Sequence, residues 1–403
     1  MELSVHVLEF RDKLKEHRRA LHRLAEPSEK EFKTQRYILG TLRSLGFKPQ
    51  KINTGAVLDI PAASRNGGGD GDNNPAASRN GGSDIDTNPD IAAAPANREQ
   101  NGLIALRADI DALCIHEQNN VEYKSLTPGV MHACGHDGHT AVLLCVAELF
   151  RNRPPARAVR LIFQPAEEGA GGAAKLIERG VLKGVGEIYG LHVDPSLPAG
   201  TYSGAAGPVM AGMVEFDVEF KGLGVHCAER GTGKDALMAA ALYITGAEEL
   251  VKRYPRNLLH TGKAEGGTVR NAVAERAAAH STLRYFENET RDRLFAEVKG
   301  LLDGIAAKTG VTYEIRRSGA YPPVVNDAAA VETVKARVPL AVLEPRFGAE
   351  DFAEYLQRVP GCFVNFGVNT GGLVKKLHAT DFDFDEAALL WGLEFFDRIV
   401  NKN

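Results

Sequence analysis

Between positions 132 and 139 the chain carries His132, Cys134, His136 and His139. Thiolate and imidazole are soft ligands for a transition metal, so Cys134-x-His136 is a plausible half of a metal site. The pattern then turns at once into an apolar helix with Val142, Leu143, Val146 and Leu149 on one face. Asp137 or Thr140 can cap that helix, which puts Cys134 and His136 in the turn before its N-terminus, where the helix dipole favours a thiolate. Taken alone, Cys134 is equally a small buried core residue.

Ligand-type residues recur at other strand ends. GLIALRADIDAL reads as a buried strand, Leu103 to Leu106, followed by Arg107, Asp109 and Asp111. AVRLIFQPAEEG is a second strand ending in Glu167 and Glu168, and EIYGLHVDPSLPAG a third ending in His192. Carboxylates past a strand end cost desolvation unless a cation or hydrogen-bond donors meet them. In α/β sheets the carboxyl edge is where ligands bind. His378, in KKLHATDFDF after a Gly-rich turn, is the last candidate.

The elements that must position these groups are spread over 403 residues, more than one core usually holds, so two domains are expected. Hydrophobic residues at 44%, charged residues at 25% and a formal net charge of -4 are ordinary for a globular chain and give no basic field for nucleic acid or an anionic membrane. No apolar run is long enough to span a bilayer, and the N-terminus has no signal-peptide core. The five cysteines, at 114, 134, 145, 227 and 362, have no paired spacing, which argues for reduced thiols and a cytoplasmic location.

In chain order, a helix is expected to about Leu24 and a second from Ser28, where Ser28-x-x-Glu31 matches a capping box, to Gly46. PAASRNGG then occurs twice, at 61–68 and 75–82, inside a Gly/Asn/Asp/Ser tract running to about 101, and reads as a disordered insertion between strands. From about Met213 the pattern changes. MVEFDVEFKG, a helix from Asp235 to Lys252, strands at GTVRNAV and AERAAAHSTLRYF, a helix from Arg291 to Lys308 and VTYEIRRS follow one another. That β-α-β-β-α-β order is the ferredoxin-like motif. The expected fold class is α/β, a catalytic domain with a central mixed sheet (1–212, with the 61–101 insertion, and 321–403) interrupted by the ferredoxin-like domain (213–320).

Cys134, His136, Glu168, His192 and His378 together suit zinc, manganese, cobalt or nickel, and five ligands suggest two ions. With Glu168 on metal, its neighbour Glu167 is left free to carry a proton.

The motifs LRADIDAL, MHACGHDGHTA, QPAEEGAGG, GLHVDPSLPAG, GGTVRNAVAE, GAEDF and the late Leu377-His378, in this order, resemble the metal-dependent N-acyl-amino-acid amidohydrolases. That group includes hippurate hydrolases, auxin-conjugate hydrolases and N-acetyldiaminopimelate deacetylases, and belongs to the aminoacylase–carboxypeptidase metallopeptidase clan. The resemblance implies a two-metal centre on Cys134, His136, Glu168, His192 and His378, with Glu167 as general base on a metal-bound water and Asp111 orienting a metal-bound histidine. It also implies that His226 of KGLGVHCAE polarises the scissile carbonyl, often from a partner subunit, and that Asn271 helps hold the substrate carboxylate. The partners implied are a small-molecule N-acyl amino acid and a second copy of the chain, in a homodimer or higher homo-oligomer formed through the inserted lid domain. The alternatives are a dipeptidase or carboxypeptidase of the same clan, or a non-catalytic metal-binding scaffold. Ala108-Asp109-Ile110-Asp111, where those peptidases tend to have His-x-Asp, favours the amidohydrolases.

Overall fold

The computed structural model describes residues 1–63, 102–169, 171–342, 344–371 and 375–401. Most of the 61–101 insertion therefore lies outside the described residues. The main body is built on an eight-stranded mixed sheet. Its four middle strands, Val159–Gln164, Leu103–Asp109, Val185–Pro198 and Gly361–Asn369, lie side by side and parallel. They are near-continuous apolar runs because helices cover both of their faces. The antiparallel Gly55–Ile60 joins at the Val159–Gln164 edge, and Tyr202–Ser203 pairs antiparallel with Gly361–Asn369 on the other side.

Helices Arg11–Arg23, His136–Asn152 and Leu389–Val400 pack on one face, where their buried residues join those of the sheet in the largest apolar core. The short helices Gly172–Glu178 and Ala353–Leu356 cover the other. The helix His136–Asn152 has hardly a solvent face, so its apolar residues run all round rather than in a stripe. Trp391 is half-buried against the same core.

The second unit has its own sheet and its own core. Gly212–Lys221, Leu258–Gly266, Arg276–Tyr285 and Thr312–Tyr321 form a four-stranded antiparallel sheet in which Thr312–Tyr321 and Arg276–Tyr285 flank Gly212–Lys221. Helices Ala236–Val251 and Asn288–Thr309 complete a strand–helix–strand–strand–helix–strand order. Leu294, Val298, Leu302 and Ile305 form a helical stripe buried against that sheet. The chain enters and leaves this unit at one tight crossing: a Cβ on Gly212 would fall 2.6 Å from the Tyr285 ring and 2.9 Å from Pro323, so only glycine fits there.

Four sequence expectations are corrected. The second strand of the inserted unit is Leu258–Gly266, not GTVRNAV, which forms the turns after it. β-Branched Thr268, Val269 and Val273 misled the reading, whereas LLHTGKAEG shows no apolar alternation because all of it but Leu259 and Thr261 is exposed. The segment to Leu24 is two helices, Val5–Leu8 and Arg11–Arg23. The next helix begins at Phe32 rather than Ser28, because Ser28 uses its hydroxyl on Asp111 and Glu31 accepts from the Glu29 N–H. The strand carrying His192 continues to Pro198 instead of ending there.

Among the described residues no helix is long and apolar enough to cross a membrane.

Candidate metal centre

Cys134, His136, Glu168, His192 and His378 come from four separate segments and meet at the carboxyl edge of the parallel strands. Cys134 Sγ lies 3.4 Å from His192 Nε2 and 3.3 Å from His378 Nε2. Glu168 Oε1 is 3.8 Å from both His136 Nε2 and His378 Nε2. The donors fall into two compact triads, Cys134–His136–His192 and Cys134–Glu168–His378, which share the thiol. No sequence reading could have given that sharing.

The outer nitrogens are fixed by acceptors. His136 Nδ1 donates to the Asp111 carbonyl at 2.9 Å and His192 Nδ1 to the Val193 carbonyl at 2.8 Å, so each ring turns Nε2 inward. His136 Nε2 and Glu168 Oε1 are buried and, among the described residues, have no hydrogen-bond partner. Orphaned buried polar atoms are costly, and a cation among them removes the cost. The donor set therefore fits divalent metal, mixing thiolate, imidazole and carboxylate as zinc and its neighbours require.

The electrostatics of the protein groups lead the same way. Burial, with Glu168 next, pushes the Cys134 thiol well up, against the expectation that the helix end would lower it. At this position desolvation outweighs the dipole. Burial pushes Glu168 up to about 7. His136 is raised because Asp109, Cys134 and Asp111 outweigh the opposing burial, while burial lowers His192 to about 3 and lowers His378. In the metal-free chain the site thus keeps protons that a cation would displace.

Two supports hold the glutamates. Asp111, fully buried, accepts the backbone N–H of Glu167 at 3.1 Å on one oxygen and that of Glu168 at 3.0 Å on the other, and the Ser28 hydroxyl at 2.6 Å. Ala166, just before them, has φ of 60°, a conformation most residues avoid, and its N–H is held at 2.9 Å by Glu31. Glu167 is buried beside Glu350 and Asp351, and burial, then Glu350 and Glu168, raise it well above the usual carboxylate range.

Behind it, buried Arg107 donates to Gln164 (2.8 Å), Asp109 (2.8 Å), Glu350 (2.9 Å) and Asp351 (3.0 Å). Sequence reasoning gave Asp109 little weight and assigned no part to Arg107, Glu350 or Asp351. The signal was present in a guanidinium and an acid on one strand and two acids just before the helix Ala353–Leu356, but which ones meet depends on the tertiary fold. Asp109 accepts His139 Nδ1–H at 2.6 Å, and His139 Nε2 accepts the Val193 N–H at 2.9 Å. Both His139 nitrogens are therefore used in fixing the strand beside His192, leaving none for metal.

The cluster opens into a cavity of about 570 Å³ between the two units, lined by Cys134, Glu167, Glu168, His192 and His378 and by Met213, Glu215 and Arg284 of the inserted sheet. The Arg284 side chain is half-buried and, among the described residues, makes no hydrogen bond or ion pair, although the charge of Glu215 in the same cavity lining acts on it. Sequence reasoning did not single it out. His226 and Asn271 lie together on the inserted unit, where His226 bridges Ala272 and the Asn271 carbonyl accepts the Cys227 N–H. Both are exposed, and neither lines this cavity.

Comparison with known proteins gives a consistent picture. The chain is 37% identical to an N-acetylcysteine deacetylase of Bacillus subtilis (strain 168) over 321 residues, 77% of this chain and 84% of that protein. It is 30% identical over 393 residues to an N-acetyldiaminopimelate deacetylase of Leuconostoc mesenteroides, covering 94% of each. The crystal structure of the Bacillus subtilis YXEP protein, described as a dinuclear metal-binding peptidase of the M20 family, superposes with a TM-score of 0.78 at 30% identity over 98% of both chains. Residues 105–402 match the model of Peptidase family M20/M25/M40, and with that fold, those relatives and this donor set the chain belongs to that family.

Proposed function

We propose that this chain is a divalent-metal amidohydrolase that cleaves the amide bond of N-acyl amino acids, releasing a carboxylate and an amino acid. The observation that carries this reading is a five-donor cluster with orphaned ligand atoms beside one further buried glutamate, Glu167. Cys134, His136, Glu168, His192 and His378 would hold two divalent ions, zinc, manganese, cobalt or nickel. When bound, such ions polarise a carbonyl and make water acidic.

The protein groups do the rest. Glu167, raised by burial, takes a proton from the attacking water and delivers it to the leaving nitrogen. Asp111 keeps the two glutamates and His136 in place. Arg284, whose guanidinium makes no hydrogen bond or ion pair among the described residues, takes the α-carboxylate. His226 polarises the scissile carbonyl and Asn271 assists at the carboxylate, from a second copy of the chain, which accounts for their exposure away from their own cavity.

In this reading residues 213–320 are a ferredoxin-like lid and dimerisation domain inserted between the catalytic parts 1–212 and 321–403. The strand–helix–strand–strand–helix–strand order and the separate core support it. The five free cysteines suit the reducing cytoplasm.

The test is Glu167→Ala, assayed for amino acid released from N-acetyl amino acids, with metal content and melting temperature measured alongside. Loss of turnover by about 10²-fold or more with metal and fold retained is expected. Retention of most activity would remove Glu167 from the mechanism.

A further inference from the structure

The cavity holds a second guanidinium. Arg346 reaches it from the segment before Gly348, and that segment is pinned: the Arg346 N–H donates to the Val209 carbonyl at 3.0 Å and its carbonyl accepts the Ala211 N–H at 2.9 Å. Its Nη2 forms an ion pair with Asp194 Oδ2 at 2.6 Å. Asp194 lies two residues beyond His192 on the same strand, and its other oxygen accepts the Ser196 N–H at 2.9 Å and the Ser196 hydroxyl at 2.5 Å. The Asp194 side chain is 3% exposed and that of Arg346 is 42% exposed. The carboxylate is thus paired with the guanidinium, which lines the cavity and, among the described residues, keeps most of its N–H groups free for a ligand.

An N-acyl amino acid with a neutral side chain has one carboxylate, and Arg284 is already there to meet it. A neutral side chain against Arg346 would strip water from donors without replacing it, whereas a second carboxylate makes charge-assisted hydrogen bonds with them. Resting on the hydrolase reading above, we propose that Arg346, held by Asp194, is a specificity residue that selects N-acyl amino acids bearing a second carboxylate on the side chain.

The experiment compares kcat/KM of the metal-loaded enzyme on substrates that differ only in that charge: N-acetyl-L-glutamate against N-acetyl-L-glutamine, and N-acetyl-L-2-aminoadipate against its side-chain amide. At least one acid should be preferred by about tenfold or more. Arg346→Gln should bring that ratio to about one, Arg346→Lys should restore part of it, and Arg346→Glu should turn the preference toward N-acetyl-L-lysine. A merely structural Arg346 would lower all rates together and leave the ratios standing.

Wild-type ratios near one on both pairs, or ratios unmoved by Arg346→Gln, overturn this inference while hydrolysis of the neutral substrates leaves the amidohydrolase reading intact. Failure to release amino acid from any N-acyl amino acid overturns both.

Discussion

Asp111 Oδ2 accepts the backbone N–H of Glu168 at 3.0 Å, while its carbonyl accepts His136 Nδ1–H at 2.9 Å, so one buried residue sets two candidate metal ligands at once. Its other oxygen takes the Glu167 N–H at 3.1 Å. Asp111→Asn keeps the shape but replaces one acceptor with a donor facing an N–H. Metal affinity or kcat/KM should fall by about 10- to 100-fold, read by metal titration and steady-state kinetics. An unchanged enzyme would mean that the glutamate turn holds itself.

That turn is also held sterically. Gly172 packs so closely that an added Cβ would lie 1.7 Å from the Pro165 carbonyl oxygen, a backbone atom that cannot swing away. Gly172→Ala should therefore displace the segment carrying Glu167 and Glu168, lowering unfolding free energy by about 2 kcal/mol or more together with activity. Urea unfolding and kinetics on the same sample check it, and a stable, fully active variant would contradict it.

The metal centre should bind more tightly as pH rises. Burial raises both the Cys134 thiol and Glu168, the latter to about 7, so below that pH a cation must displace their protons. Affinity should increase by up to about tenfold per pH unit for each proton displaced between pH 6 and 8. Competition with a chelator of known pH dependence measures this, and a flat profile would show that the ligands are already ionised.

Stability of the metal-free chain should depend on His22. Its Nδ1 is 2.7 Å from Asp137 and its Nε2 3.2 Å from Glu117, and although burial opposes the charge, these carboxylates raise it to about 9 from 6.5. The folded pKa lies above the unfolded one, so the stabilisation is complete below about pH 6.5 and is lost as pH rises to about 9. The loss is up to about 3 kcal/mol, seen as a fall in urea midpoint that His22→Gln lacks. Parallel pH profiles for the two proteins would contradict it.

The sequence disclosed the chemistry of the site better than its geometry. That Cys134, Glu168, His192 and His378 were candidate ligands was legible from their residue types, and their convergence follows from the parallel order of Val159–Gln164, Val185–Pro198 and Gly361–Asn369 beside the helix His136–Asn152. The raised Cys134 thiol was not legible, since its cause is desolvation by neighbours distant in sequence. Arg284 and Arg346 were missed because an arginine on a solvated strand or loop looks like any surface charge until the two units are brought together around one cavity. The Leu258–Gly266 strand was misplaced for a related reason: most of its side chains are exposed, so no apolar alternation marks it.

The most direct test of the central claim is release of free amino acid from N-acetyl amino acids by metal-stripped protein, with and without Zn²⁺, Mn²⁺, Co²⁺ or Ni²⁺. The account predicts no release without metal, and release restored by at least one of these ions. Full activity in the stripped protein, or none with any ion from folded protein that binds it, would contradict the account.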